Sequence, residues 1–264
     1  MKQWLVFTDL DGTLLDHDDY SFDAASESLR QLRSLGIPLV LASSKTRVEM
    51  EMLSARLGNS YPFICENGAA ICCPGGDGWE VEPMAPERGQ VLSVLAQLRE
   101  SEAYLFSGFN DMSIAQICAE TGLDPAAAAL ASQREYSEPL LWADTDARLE
   151  KFLEQLAGYS LQASQGGRFL SVAGICDKAS AMQRLGTQLG EPGQNWIIAL
   201  GDSPNDQTML AAADVAVVVA SARSEKLQLP ASRRVIRTRA AGPSGWHEAM
   251  SALLQEHTSM TGDI

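Results

Sequence analysis

A chain of 264 residues, 45 % of them hydrophobic, can bury one sizeable core, or one core and a smaller module. Its formal net charge of -14 makes nucleic acid and anionic membranes poor partners, and any phosphorylated ligand has to meet a locally positive pocket. Apolar runs stay short of a membrane span, the charged N-terminus passes straight into a strand pattern, three scattered histidines give no zinc pattern, and five cysteines without Cys-x-x-Cys pairing suit a reducing cytoplasm.

Trp4-Leu5-Val6-Phe7 is an uncharged run that reads as a strand buried on both faces. Asp9 and Asp11 follow it two residues apart, so in an extended chain they face the same way, and Gly12 lets the chain turn beyond them. Two like charges at the end of a buried strand need compensation, which a divalent cation supplies. Alone, Asp9-Leu10-Asp11-Gly12 is read equally well as a polar turn.

After a polar loop at Asp16-His17-Asp18-Asp19, a helix is predicted over about 22–35, with Leu29, Leu32 and Leu35 on one face and Gly36 as its stop. Residues 37–42 form a second buried strand, broken off by Ser43-Ser44-Lys45-Thr46. A helix over about 47–57 is closed by Gly58, and a short strand at 63–65 ends in Glu66-Asn67-Gly68. Three β-then-α units in succession predict a parallel, doubly wound α/β sheet.

The rhythm then changes. Residues 69–73 and 79–82 flank Pro74-Gly75-Gly76-Asp77-Gly78 as a hairpin. From about 84 come a long helix, a strand near Tyr104, and two alanine-rich helices, the second opened by Asp124-Pro125. A strand at 140–142, a helix over about 146–156, a strand near Tyr159 and a strand over about 169–172 follow. This is the pattern of an α+β module inserted into the α/β domain: residues 84–168 as insert, 1–83 and 169–264 as core, with linkers at 82–86 and 165–167. Asp177-Lys178-Ala179 then opens a helix to about 189, and a strand at 196–200 ends in Gly201-Asp202-Ser203-Pro204-Asn205-Asp206. Further strands are predicted at 215–219 and 235–236, and the basic residues from Arg223 to Arg239 read as a solvated face.

Three polar clusters thus stand directly after apolar strands: Asp9 with Asp11, Ser43 to Thr46, and Asp202 to Asp206. In an open parallel sheet these positions share one edge, where ligands bind, and Lys178 at the start of its helix can join them. Carboxylates hold Mg²⁺ through oxygen, and serine and lysine bind phosphate oxygens, so the set predicts a site for a metal and a phosphoryl group.

Asp9-Leu10-Asp11-Gly12-Thr13, Ser43, Lys178 and Gly201-Asp202-Ser203-Pro204-Asn205-Asp206 resemble, in order and over nearly the whole chain, the four motifs of the haloacid dehalogenase superfamily of phosphatases. The insert between the second and third motifs resembles the α+β cap of its sugar-phosphate branch. More narrowly, Ser43-Ser44-Lys45-Thr46-Arg47, Glu66-Asn67-Gly68-Ala69, Arg134-Glu135-Tyr136-Ser137-Glu138-Pro139, Arg168-Phe169 and Gly242-Pro243-Ser244-Gly245-Trp246 resemble the mannosyl-3-phosphoglycerate phosphatases.

The resemblance implies a Rossmann-like core, a cap that selects the substrate, a small phosphorylated substrate, and Mg²⁺ as cofactor. It makes Asp9 the nucleophile and Asp11 the acid and base, with Mg²⁺ held by Asp9, the Asp11 carbonyl and Asp202. Asp206 and Asn205 stand behind the metal, Asp206 orienting Lys178 or a metal-bound water. Ser43 and Lys178 neutralise phosphoryl oxygens, while Thr13, Ser44, Lys45, Arg47, Asn67 and Arg168 are expected to bind substrate. Arg168 is favoured for a substrate carboxylate because it stands beside two glycines where the chain is expected to cross from cap to core.

Plainer readings stay open for each residue. Ser43 caps the helix beginning near Arg47, with Ser44 then the alternative anchor; Lys178, Lys45 and Arg47 are surface charges, and Asp206 is a helix cap. Glu135 and Glu138 either bind sugar hydroxyls or lie on a solvated strand. Rival functions are a broad sugar-phosphate phosphatase, a phosphosugar mutase and an inactive binding module.

Overall fold

The structure is a computed structural model that describes residues 2–76, 78–190, 193–231 and 233–261. The chain begins with β1 (Gln3–Thr8), α1 (Ser26–Ser34), β2 (Leu39–Ala42), α2 (Arg47–Leu57) and β3 (Phe63–Cys65). The hairpin β4 (Ala70–Gly75) and β5 (Gly78–Pro83) follows, then α3 (Arg88–Glu102), β6 (Phe106–Gly108), α4 (Ile114–Thr121) and α5 (Pro125–Ala131). Next come β7 (Ser137–Trp142), α6 (Asp146–Gly158), β8 (Leu161–Gly166), β9 (Phe169–Gly174) and α7 (Lys178–Leu189). The chain closes with β10 (Asn195–Gly201), α8 (Gln207–Ala212), β11 (Val215–Ala220), β12 (Arg234–Ala241) and α9 (Gly242–Thr261). Asp77, in the turn expected of the hairpin, lies outside the described residues.

Two compact units result: Met1–Ser43, Tyr61–Ile64 and Lys178–Ile264 make one, Ser44–Ser60 and Cys65–Asp177 the other. In the first, parallel strands run in the order β12-β11-β10-β1-β2-β3. The chain proceeds outward one way from β1 and the other way from β10, which is the doubly wound order with its switch point between those two strands. Leu5 to Thr8 are fully buried, as the uncharged run requires. Leu35 departs from expectation: α1 ends at Ser34, the helical period stops with it, and Leu35 is 41 % exposed. β12 is longer than its apolar core suggests, because Arg234, Arg237 and Arg239 sit at its exposed positions. Charged side chains on a terminal strand hide it from a hydrophobicity reading and also guard against edge-to-edge pairing.

The second unit contains an antiparallel sheet of order β6-β7-β9-β8. Its core packs Val91, Leu95 and Leu98 of α3 and Phe152 and Leu156 of α6 against Leu140, Leu170 and Val172 of the sheet. A smaller core joins Phe109, Ile117, Ala128 and Ala131, with Phe169 against it. Tyr104 precedes its strand and is buried in the larger core; Tyr159 likewise precedes β8. β7 starts earlier than its apolar run, at Ser137, and includes Pro139. That proline is tolerated because β6 pairs only with Leu140 to Trp142, which leaves Pro139 no ladder bond to donate on that side. Gln165-Gly166-Gly167, expected as a linker, forms the β8–β9 hairpin, with Gly166 opposite Phe169. Among the described residues no helix is long and apolar enough to cross a membrane.

Candidate active site

Thr8 at the end of β1 stands opposite Leu41 of β2 and Leu200 of β10. Asp9, Ser43 and Asp202 therefore leave adjacent strands at the same edge, with Asp9 and Asp202 flanking the switch point. Ser43 is buried and its amide donates to the Ile64 carbonyl at 3.0 Å. Lys178 opens α7, so the first helical turn delivers its side chain to that edge.

The Lys178 ammonium is wholly buried and donates to Asp9 Oδ1 at 2.6 Å and to Asp206 Oδ1 at 2.7 Å. Asp206 Oδ2 accepts the amides of Asp202 and Ser203, each at 3.2 Å, and the Ser203 hydroxyl at 3.3 Å. Gly201 makes this possible, since a Cβ there would lie 2.5 Å from that of Asp206. Thr13 donates its hydroxyl to Asp202 Oδ1 at 3.3 Å, and Gly12 turns the chain at φ 79 as expected. Asp11 is half-buried, with its backbone bridged to Leu15. Asn205 is exposed and accepts the Ser203 hydroxyl. Ser221, passed over in the sequence, donates to the Asp202 carbonyl at 2.9 Å. It too directly follows an apolar strand, the signal that marked the others.

Burial pushes the Asp9 carboxyl up to about 8; the charge of Asp206 adds to the rise and Lys178 opposes it. Burial also raises Asp202, again with Asp206 adding. Burial disfavours the Lys178 ammonium, but Asp206 and Asp9 outweigh it and hold the amine above its ordinary range. Asp9, Asp202 and Asp206 offer oxygens within 4.8 Å of one another. Three clustered carboxylates against one ammonium leave negative charge in excess, and hard oxygen donors fit a divalent cation such as Mg²⁺. Asp206 already takes four donors, so Asp9 and Asp202 are the better placed of the three to hold it.

Ser44, Lys45, Arg47 and Asn67 belong to the second unit, where the stretches around them interlock. Arg134 donates to the Ser44 carbonyl at 3.1 Å, and the Glu66 amide to the Lys45 carbonyl at 3.0 Å. Thr46 caps α2 in a reciprocal box with Glu49. Arg47 is no free surface charge: it grips Glu135 through two nitrogens, at 3.0 and 2.8 Å, and Glu51 at 2.5 Å. Glu66 is buried and accepts the amides of Glu135 at 2.8 Å and Tyr136 at 3.2 Å and the Ser137 hydroxyl at 2.5 Å. Glu66 and Asn67 adopt positive φ, 47 and 60, a strain of the kind that clusters at functional sites. A cavity of about 550 Å³ in this unit is lined by Arg47, Trp79, Arg88, Glu135 and Tyr136, among others.

Two expectations about this unit need correction. Glu138 is not on a solvated strand; it is buried, paired with Arg88 at 2.6 Å and bonded by the Asn110 amide at 2.7 Å. Arg168 is not where the chain passes on to α7; it stands in the β8–β9 turn, exposed, and pairs with Glu120 at 3.2 Å. The two glycines beside it make that tight turn, which a linear reading takes for a linker.

The fold and the strand-end cluster define a doubly wound α/β protein with an acidic, lysine-bridged site at its switch point. A family model described as haloacid dehalogenase-like hydrolase matches residues 6–232, and the chain belongs to that family. Among solved structures it is similar to BT1666 from Bacteroides thetaiotaomicron, described among phosphatases of the haloalkanoate enzyme superfamily, with TM-score 0.69, 19 % identity and 95 % of each chain covered. It is also similar to a haloacid dehalogenase-like hydrolase from B. subtilis, with TM-score 0.64, 20 % identity, and 97 % of this chain and 99 % of that one covered. A third, TM0651 from Thermotoga maritima, has TM-score 0.67 at 20 % identity over 96 % of this chain and 97 % of that one. At such identities the likeness establishes the fold.

Proposed function

We propose that the chain is a Mg²⁺-dependent phosphatase of a phosphorylated sugar or glycerate glycoside, converting mannosyl-3-phosphoglycerate to mannosylglycerate and phosphate. The observation that carries this reading is the buried Lys178 ammonium bridging Asp9 and Asp206 beside Asp202. Asp9 attacks phosphorus in line, the bond to the leaving oxygen breaks, and Asp11 donates a proton to that oxygen. Asp11 then takes a proton from water as the water attacks the aspartyl-phosphate, which frees phosphate and regenerates Asp9. Lys178 and Ser43 offset charge on the phosphoryl oxygens, and Asp206 holds Lys178 in place. Bound by Asp9, Asp202 and the Asp11 carbonyl, Mg²⁺ supplies further positive charge there.

The antiparallel module serves as the cap, and it runs past the expected limit at 168, because β9 (Phe169–Gly174) pairs with both β7 and β8. The narrower substrate is supported by the resemblance and by the way three of its stretches, at 44–47, 66 and 134–137, bond to one another in one unit. The cavity beside Arg47, with charged donors and aromatic faces, has the chemistry a carboxylated glycoside needs. A cytoplasmic setting suits the five free cysteines.

A phosphate-release screen over glycosyl-phosphoglycerates, hexose phosphates and nucleotides tests the proposal. The expected result is a kcat/KM for mannosyl-3-phosphoglycerate about tenfold or more above any other ester. Similar values across hexose phosphates would replace it with a broad sugar phosphatase, and release from none would remove the phosphatase reading.

A further inference from the structure

We propose that Trp246, near the far end of the chain, is a positioning residue for Asp9 and acts through Thr8. The inference rests on reading Asp9 as the nucleophile and adds a residue that reading does not use. Thr8 and Trp246 are both fully buried in the first unit. Trp246 Nε1 donates to Thr8 Oγ1 at 3.0 Å, and Thr8 Oγ1 donates in turn to the Asp9 carbonyl at 2.7 Å. The Asp9 amide donates to the Leu200 carbonyl at 2.9 Å. Asp9 is therefore held on both sides of its own Cα, by the neighbouring strand and by Thr8.

The direction of the relay is fixed by chemistry. An indole N–H can only donate, whereas a hydroxyl both donates and accepts and turns freely until its partners fix it. With Trp246 occupying a lone pair, the Thr8 proton is aimed at the Asp9 carbonyl. Without the indole, that hydroxyl keeps its acceptor but loses the donor that sets its rotation.

The sequence around Trp246 is built to bring it there. Gly242-Pro243-Ser244-Gly245-Trp246 starts α9 directly at the end of β12. A Cβ at Gly245 would lie 2.1 Å from the Ala240 carbonyl oxygen and 2.7 Å from Thr238 Oγ1, so only glycine lets the first turn of α9 press against β12. This close seating puts the next residue, Trp246, in the core at the end of β1. A tryptophan serving only to fill volume has no need of a hydroxyl beside the nucleophile. In-line attack tolerates little displacement: a shift of about 1 Å at the reacting atom costs on the order of a hundredfold.

The test uses Trp246→Phe, Thr8→Val and Thr8→Ser in the full chain, with kcat and KM measured on p-nitrophenyl phosphate and melting temperatures alongside. Trp246→Phe and Thr8→Val are expected to lower kcat about tenfold with KM within about twofold, and the double variant to lose no more than the worse single one. Thr8→Ser, which keeps the hydroxyl, is expected to retain near wild-type kcat. Thr8→Val keeps shape and volume, so it carries the test alone if Trp246→Phe does not fold. Turnover in Asp9→Asn would bring down the nucleophile reading itself. If Asp9→Asn is dead while Thr8→Val keeps wild-type kcat, or if Thr8→Ser loses as much as Thr8→Val, Trp246 is packing only and the inference is overturned.

Discussion

Chelation with EDTA is expected to abolish phosphate release, and added Mg²⁺ to restore it. Asp9, Asp202 and Asp206 crowd their oxygens within 4.8 Å, and Lys178 is the ammonium bonded into that cluster. Burial raises the Asp9 carboxyl and so disfavours the charged form that attacks phosphorus, an effect that a further cation opposes. A divalent ion at Asp9 and Asp202 removes that obstacle. Ca²⁺ should substitute poorly, because its larger and looser coordination disturbs an in-line geometry. Melting gives a readout independent of turnover: a hundredfold excess of Mg²⁺ over its dissociation constant stabilises the folded chain by about 2.7 kcal/mol. Asp202→Asn should lose most of that shift. Full activity after exhaustive metal removal would contradict the assignment.

Asp9→Asn should lower kcat by several decades while the fold survives. An amide fills nearly the same space but is no nucleophile for phosphorus. Its effect on stability is a balance, because the substitution removes the ion pair with Lys178 and also removes like-charge repulsion from Asp206 and Asp11. Thermal melting should therefore stay within a few degrees of wild type. Activity above a few per cent, with deamidation excluded by mass, would exclude Asp9 as the attacking group.

The strand-end residues were legible because each closes an apolar run. Asp9, Ser43 and Asp202 follow buried strands, and an open parallel sheet puts such positions on one edge whatever the side-chain details. Lys178 was legible from its place at a helix start. What escaped depends on contacts that local pattern does not encode. β12 carries Arg234, Arg237 and Arg239 at exposed positions, so its hydrophobic signal covers two residues where the strand has eight. β7 begins with Ser137-Glu138-Pro139, which reads as a loop until the shortness of β6 is known. Glu66 looks like a turn residue, yet it takes three bonds from residues about 70 positions away. Arg168 escapes a linear reading because two adjacent glycines suit a linker as well as a turn, and here they make the β8–β9 hairpin turn.

The most direct measurement is chemical capture of the intermediate. Enzyme and p-nitrophenyl phosphate are mixed, quenched in acid within the first turnover, reduced with borohydride and mapped by mass spectrometry. Reduction of an acyl phosphate turns the aspartate that bore it into homoserine. The account predicts homoserine at position 9, dependent on substrate and on Mg²⁺. Homoserine at position 11, 202 or 206 instead, or none at quench times when a phosphatase burst of nitrophenol has already appeared, would contradict it.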